Sequence, residues 1–420
     1  MSENLRYWIW LQNALGYGAK INKIIGEYKS AKVLYDLGED EWRMSPVLSY
    51  RQVEKMINTD IKMSDKVIFE CMNNGYKAVD FEDVAYPERL KEIPNPPAVL
   101  YIDGVLPDID NLVCIGMVGT RKASEYAIKA AHIMAKGITE AGALVVSGGA
   151  LGVDTYSHLG ALACGGKTVA VLGSGLGSNY LKSNENLRNM IRQNGALVTE
   201  YQPNEPVSRR SFPLRNRIIS GLSLGVLVVE AGVKSGSLIT ARLATEQGRD
   251  IYAIPSSIFS SEYSGTNKLI EDGAKVAVNP INVVEAYEED YPTLNLSKIR
   301  GSNEIALDDS ETRLDTSIVK KKTAKELNAK PTPENNQIDK KYSFEKLEEG
   351  RKNRIKIEEN AAKLEGEYKT VYDCIGENFT HVDEIIAKSG LPASKVLAAL
   401  TFLEIKKLII SASGKRFKKS

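Results

Sequence analysis

Between residues 112 and about 280 the chain alternates short, mostly apolar runs with longer amphipathic stretches. The runs Val113–Val118, Ala143–Ser147, Thr168–Leu172, Ala196–Glu200, Leu224–Glu230, Asp250–Ile254 and Lys275–Val278 recur at intervals of roughly 25–30 residues. Segments such as Glu125–Ala141, Leu187–Gln193 and Ser237–Gln247 fall between them and read as helices. Continuous apolar strands separated by amphipathic helices specify a parallel sheet covered on both faces. The fold class is therefore α/β, with an extended Rossmann-like parallel sheet.

Other periods frame this region. Residues 1–80 show apolar positions at three- and four-residue steps, as in Leu5–Leu11 and Ile21–Tyr28, and predict a small N-terminal helical domain of sterile-alpha-motif or helix-hairpin-helix type. Within it, Leu15-Gly-Tyr-Gly-Ala-Lys-Ile21 reads as a glycine turn between helices. Its amides either pack within the helical module or meet a DNA phosphate. The prolines of Ala85–Tyr101 then favour extended backbone entering a short strand. The Rossmann-like domain is bounded at 81–290. Residues 291–362 are rich in charge and poor in aromatics, which predicts a disordered charged linker, with Phe344–Lys363 as a possible solvated helix. Residues 363–420 regain periodicity: helices at Tyr368–Ile375, Val382–Lys388 and from Pro392 to Ile405, then a basic hairpin at Leu408–Ser411 and Gly414–Phe417. That order outlines a C-terminal winged helix, with a plain helical bundle as the alternative.

Composition narrows the chemistry. The 420 residues carry 55 basic and 54 acidic side chains, so any phosphate binding must come from local concentrations of charge. No apolar stretch is long enough to span a bilayer, and no signal peptide is visible, so the expected compartment is the cytoplasm. Four scattered cysteines and three scattered histidines lack the spacing of metal ligands, and no cofactor is expected.

Ligands of an open parallel sheet sit beyond the carboxyl ends of its strands. Gly119-Thr120-Arg121 follows the first strand there, with a glycine for close approach, a hydroxyl and a guanidinium able to pair with phosphate. Ser147-Gly-Gly-Ala-Leu-Gly-Val-Asp154 follows the second, Asp154 being a candidate cap of the next helix. Gly173-Ser-Gly-Leu-Gly177 follows the third, with Lys182 downstream. Ser208–Arg217 packs Arg209, Arg210, Arg215 and Arg217 around Phe212 and Asn216; arginines pair with phosphates and an interleaved aromatic offers a stacking platform. Internal salt bridges of Arg215 and Arg217 are the alternative. Lys234, Ser235, Gly236 and Ser237 make another small-residue helix start. Neither a Ser-His-Asp set nor a nucleotide-triphosphate loop occurs among these loops, so an enzyme here would rely on Glu230, Asp154 or a backbone amide.

Taken in order, Tyr86-Pro-Glu-Arg-Leu, Val118-Gly-Thr-Arg, Ser147-Gly-Gly-Ala-Leu-Gly-Val-Asp, Phe212-Pro-Leu-Arg-Asn-Arg-Ile-Ile-Ser-Gly-Leu-Ser, Ser235-Gly-Ser-Leu-Ile-Thr-Ala and Gly265-Thr-Asn-Lys-Leu-Ile resemble the DNA-processing protein A (DprA, or Smf) family. The resemblance implies a non-enzymatic homodimer that binds single-stranded DNA without sequence preference and hands it to the RecA recombinase in natural transformation. Carried over by position, Arg121, Arg209, Arg215 and Arg217 contact backbone, Phe212 stacks on a base, Lys182 and Lys234 line the same pocket, and Leu269 and Ile270 pack the dimer. The chain departs from the family at Leu151, often arginine, and at Tyr180-Leu181, often Tyr-Pro. Two other functions compete: a phosphoribohydrolase of the lysine-decarboxylase-like type, whose Pro-Gly-Gly-x-Gly-Thr-x-x-Glu motif is replaced here by Ala231–Leu238, and a sequence-specific duplex regulator acting through the winged helix.

Overall fold

A computed structural model describes residues 2–180, 184–300, 366–376, 380–406, 408–412 and 416–419. These fall into two units, one ending at Arg300 and the other beginning at Gly366. In the larger unit the first helices are α1 (Leu5–Leu15), α2 (Asn22–Tyr28), α3 (Ala31–Met44), α4 (Tyr50–Ile57) and α5 (Lys62–Asn74). Helix α1 buries Trp8, Ile9, Trp10 and Leu11, four consecutive positions, so it is apolar nearly all round and lies inside the helical group. Both indoles remain hydrogen-bonded, Trp8 Nε1 to Glu82 Oε2 at 2.9 Å and Trp10 Nε1 to the Thr59 carbonyl at 3.0 Å. Gly75, with φ +70°, ends α5 in a left-handed cap.

Nine strands follow: β1 (Lys77–Asp80), β2 (Val99–Gly104), β3 (Cys114–Val118), β4 (Leu144–Ser147), β5 (Thr168–Val171), β6 (Gly195–Thr199), β7 (Gly225–Val228), β8 (Asp250–Ala253) and β9 (Lys275–Val276). The intervening helices are α6 (Glu88–Lys91), α7 (Glu125–Glu140), α8 (Val153–Ala163), α9 (Glu185–Gln193), α10 (Ser211–Gly221), α11 (Ser237–Glu246), α12 (Ser264–Glu271), α13 (Ile281–Val284) and α14 (Ser297–Arg300). The nine strands form one sheet in the order β1-β2-β6-β5-β4-β3-β7-β8-β9. From β6 to β9 every pairing is parallel, while β2 runs antiparallel to β6 and β1 to β2. Alternate residues of the central strands feed two layers. Cys114 and Val118 face one cluster, and Val113, Ile115 and Met117 the other. This is the α/β, Rossmann-like sheet that the period of the apolar runs predicts.

Two expected boundaries move. The sheet begins at Lys77 rather than after residue 80, and the N-terminal helices are not a separate domain. Trp8, Trp10 and Met56 share one buried cluster with Val99, Tyr101, Leu172, Ile191 and Leu197. The reason is the pair β1 and β2, which extends the sheet beneath the helices and needs an apolar cover. At the other end, 291–300 is no linker. Leu294, Leu296 and Ile299 are buried beside α7, and the Asn295 amide donates to the Ala141 carbonyl at 2.7 Å. The rest of the expected linker, 301–362, with its proposed helix at 344–363, lies outside the described residues.

The second unit has helices at Gly366–Asp373, Val382–Ser389 and Ala393–Ile405, and strands β10 (Thr380–His381), β11 (Ile409–Ala412) and β12 (Arg416–Lys419). Val371, Ile385, Val396, Leu400 and Leu403 form its core. The expected hairpin is joined by β10 in the order β10-β12-β11, giving a winged helix. Two residues are too short a run to announce a strand.

A chain lacking residues 1–74 should fail to unfold cooperatively and should bind a hydrophobic dye, because Val99, Tyr101, Leu172 and Leu197 lose their cover. Urea denaturation with dye fluorescence checks this; a sharp transition in the truncated chain would show an independent sheet domain.

Candidate nucleic-acid interface

Strand β3 starts the parallel sheet at its centre. Chain order runs outward through β4, β5 and β6 on one side and through β7, β8 and β9 on the other. Where the direction reverses, neighbouring crossovers lie on opposite faces and a crevice opens at the carboxyl ends. A cavity of about 340 Å³ occupies it. It brings together Gly119, Thr120 and Arg121 after β3, Ala150 and Asp154 after β4, Phe212, Arg215 and Asn216 of α10, and Ser235, Gly236 and Ser237 at the start of α11.

Close backbone packing builds these loops. A Cβ on Gly119 would stand 2.5 Å from Val153 Cγ2, and one on Gly148 would stand 2.3 Å from Arg215 Nη1 and 2.5 Å from Asp154 Oδ2. The Thr120 amide donates to the Glu230 carbonyl at 2.9 Å, joining the loops after β3 and β7. At the start of α11 the Ser235 and Ser237 hydroxyls lie 2.7 Å apart, beside the positive end of a ten-residue helix.

Arg121 is exposed and its guanidinium lies over the Phe212 ring, 4.3 Å from the centroid. Tyr180 packs against the same ring at 5.4 Å, and Gly173 leaves room for it, since a Cβ there would approach Phe212 Cδ1 to 3.2 Å. Arg215 forms the floor: it is 4% exposed, and Nη1 donates to the Gly148 carbonyl at 2.7 Å and also to the Val171 carbonyl. Burial pulls its pKa down against the opposing charge of Asp154, and burial pushes the Asp154 carboxyl up against the pull of Arg215. Two cations and four hydroxyls thus line a crevice whose one carboxylate, Asp154, accepts from the Ala150 amide at 3.3 Å.

The family-level comparisons agree with this frame. The family model described as DNA recombination-mediator protein A matches residues 77–288, half of the chain, and the DprA winged helix domain matches 358–415. The DNA processing protein DprA of Streptococcus pneumoniae is 41% identical over 206 residues, covering 49% of this chain and 72% of that relative. The chain belongs to the DNA recombination-mediator protein A family. Protein Smf of Synechocystis is 29% identical and aligns over 98% of both chains. The X-ray structure of DprA from Streptococcus pneumoniae superposes with a TM-score of 0.58 at 33% identity, covering 67% of this chain and 97% of that one.

Not every expected residue reaches the crevice. Arg217, expected along a polynucleotide backbone, is 1% exposed, and its Nη2 donates to Glu200 Oε2 at 2.6 Å. The helical period explains the divergence: Arg215 and Arg217 stand two positions apart, about 200° around the axis, so one faces the cavity and the other the core. The internal salt bridge left open for this helix is formed by Arg217, while Arg215 lines the cavity. Arg209, Arg210 and Lys234 are exposed outside the cavity lining, and Lys182 lies outside the described residues. The glycine turn near the N-terminus is committed to packing, because the Gly18 amide donates to Glu200 Oε1 at 2.9 Å. The loop after β5 is committed as well, its Gly175 and Gly177 amides donating to the Glu205 and Pro203 carbonyls. Tyr180, Thr240 and Ile239 were missed. The signal for the last two was their three- and four-residue spacing from Ser237 and Ser235 on one helical face.

Groups that an enzyme would need are tied up. Glu230 is buried and its Oε2 accepts from the Ser124 hydroxyl at 2.5 Å and the Tyr263 hydroxyl at 2.7 Å. Among the described residues no His, Cys, Asp and Glu cluster suits a metal ion, and no single helix is long and apolar enough to cross a membrane.

Arg217→Ala should cost about 3–5 kcal/mol of stability by stranding Glu200, and Arg217→Met with Glu200→Leu should recover most of it. Urea denaturation of the three proteins measures this; equal stability of wild type and single variant would show the pair to be solvated. Behind Arg215, burial pulls the His158 pKa from 6.5 to about 3. Between those values the unfolded chain binds the extra proton, so this group makes stability rise with pH by up to about 1.4 kcal/mol per unit and fall on acidification. His158→Gln should flatten that slope between pH 6 and 4, as read by denaturation at several pH values.

Proposed function

We propose that the chain is a sequence-independent single-stranded DNA-binding protein without enzymatic activity. In this reading it protects incoming DNA and loads the RecA recombinase in natural transformation and recombination, as a cytoplasmic homodimer whose contact includes Leu269 and Ile270. The observation that carries the DNA reading is the Arg121–Phe212 stack over the mouth of the switch-point cavity. A guanidinium centred 4.3 Å from an aromatic ring can offer a base a stacking surface and a phosphate two parallel donors. Gly119, Thr120, Arg215, Asn216, Ser235, Gly236 and Ser237 then bind backbone within the crevice. Arg209, Arg210 and Lys234, exposed outside the lining, attract the strand from its margins, and Lys182 is a further contact proposed from the sequence alone. Phosphate contacts of this kind carry no sequence information, which agrees with binding that ignores sequence.

The names of the relatives, DNA processing protein and DNA recombination-mediator protein, support the same reading. A phosphoribohydrolase finds less support, since Glu230 is spent on Ser124 and Tyr263. A duplex-reading winged helix also finds less, since Val396, Ala399, Leu400 and Leu403 of its third helix are buried in their own core.

Arg121→Ala should weaken binding to all oligonucleotides about equally and lower the slope of log affinity against log salt by about 0.7, one phosphate contact on a single strand. Phe212→Ala should weaken it by roughly five- to a hundredfold, the value of one lost base stack, without changing that slope. Anisotropy titration of labelled oligothymidylate at two salt concentrations measures both. Undiminished affinity in the two variants overturns the cavity as the binding site.

A further inference from the structure

The carboxyl rim continues past the cavity. Strand β8 pairs in parallel with β7, so the loop leaving β8 lies next to the loop after β7 that carries Lys234. Their backbones touch. The Gly265 amide donates to the Ala231 carbonyl at 2.7 Å, and a Cβ on Gly232 would stand 3.4 Å from the Ser261 carbonyl oxygen. At the tip of the β8 loop Phe259 is 94% exposed and Ile258 84% exposed, and Val233 beside Lys234 is 67% exposed. An aromatic ring so open to water on a folded chain marks a contact surface when it continues a site.

The tip is also held in place. Asn267 clamps Ser256 by accepting from its amide at 3.3 Å and donating to its carbonyl at 3.1 Å. The Ser257 hydroxyl accepts from the Phe259 amide at 3.2 Å, and the Ser260 amide donates to the Ser257 carbonyl at 3.2 Å. Glu262 is drawn back by the Ser260 hydroxyl at 2.7 Å. A braced turn presents the ring and leaves hydroxyls beside it, which suits a nucleobase flanked by phosphates.

We propose that Phe259 is a second base-stacking platform, which extends the path of a single strand from Arg121 and Phe212 across Lys234 to the loop after β8. This rests on the single-strand reading of the cavity. The offset from β3 to β8 is two inter-strand steps of about 4.8 Å each, short against single-strand sites of about 4–16 nucleotides. Strand polarity and base sequence do not enter, because every base offers a stacking face.

The test uses the full chain and labelled oligothymidylates, one of about five nucleotides and one of about twenty. Phe259→Ala should weaken the longer oligonucleotide about fivefold or more and leave the shorter one unchanged, and Phe259→Trp should restore the affinity. Unaltered affinity for the longer strand in Phe259→Ala, with Arg121→Ala still weak, overturns the platform and leaves the cavity standing. Full affinity in both variants overturns the cavity reading as well. A change of oligomeric state in Phe259→Ala, read by light scattering, assigns the loop to contact between copies and overturns the proposal.

Discussion

Arg217 and Glu200 meet 2.6 Å apart with almost no access to water, and three parts of the larger unit converge on them. Arg217 belongs to α10, Glu200 follows β6 directly, and the second carboxylate oxygen of Glu200 takes the Gly18 amide from the N-terminal turn. The Glu200 carbonyl accepts from Gln12 of α1 at 3.1 Å. Removing such ions from water is expensive, and only the mutual attraction of the pair together with added hydrogen bonds offsets the cost. The geometry of the pair therefore determines the orientation of α10, and α10 carries Phe212, Arg215 and Asn216. The crevice inherits its shape from an ion pair that lies outside its lining.

Within that frame the crevice is organised before anything enters it. Arg121 already lies on Phe212, Tyr180 flanks the ring, and Arg215 is anchored on two carbonyls. Less side-chain freedom then remains to be lost on binding. Arg121 is the exposed member and Arg215 the buried one, so in the proposed reading the pair supplies a cation that meets the strand early and another that holds it in a drier place, where charge interactions are stronger.

Much of this was legible in order and type. The apolar runs marked each parallel strand to within about two residues, because a strand buried on both faces leaves its composition no other solution. Gly119, Arg121 and Ser235 were found as loop residues by position after a strand, and Phe212, which opens α10, by the arginines that surround it in the chain. Strand β1 was not, since Lys77–Asp80 directly follows a helix and is too short to show a period of its own. The packing of 291–300 was hidden for a similar reason: Leu294, Leu296 and Ile299 are apolar residues in a polar context, and they cover α7 only once the chain has turned back.

Sequence alone determined the class of sheet, the winged helix and the loops in which chemistry would lie, because those follow from local period and from residues adjacent in the chain. Tertiary structure alone decided which arginine serves which purpose. Arg215 and Arg217 are chemically identical, and the helix sends one toward the crevice and the other toward Glu200. It also decided that the glycine turn at Gly18 is a packing device and that the N-terminal helices share a core with the sheet. These outcomes depend on partners that are distant in the chain: 17 residues separate Arg217 from Glu200, and 182 separate Gly18 from it. A guanidinium is drawn to whichever anion the fold brings nearest, and no local pattern records that distance.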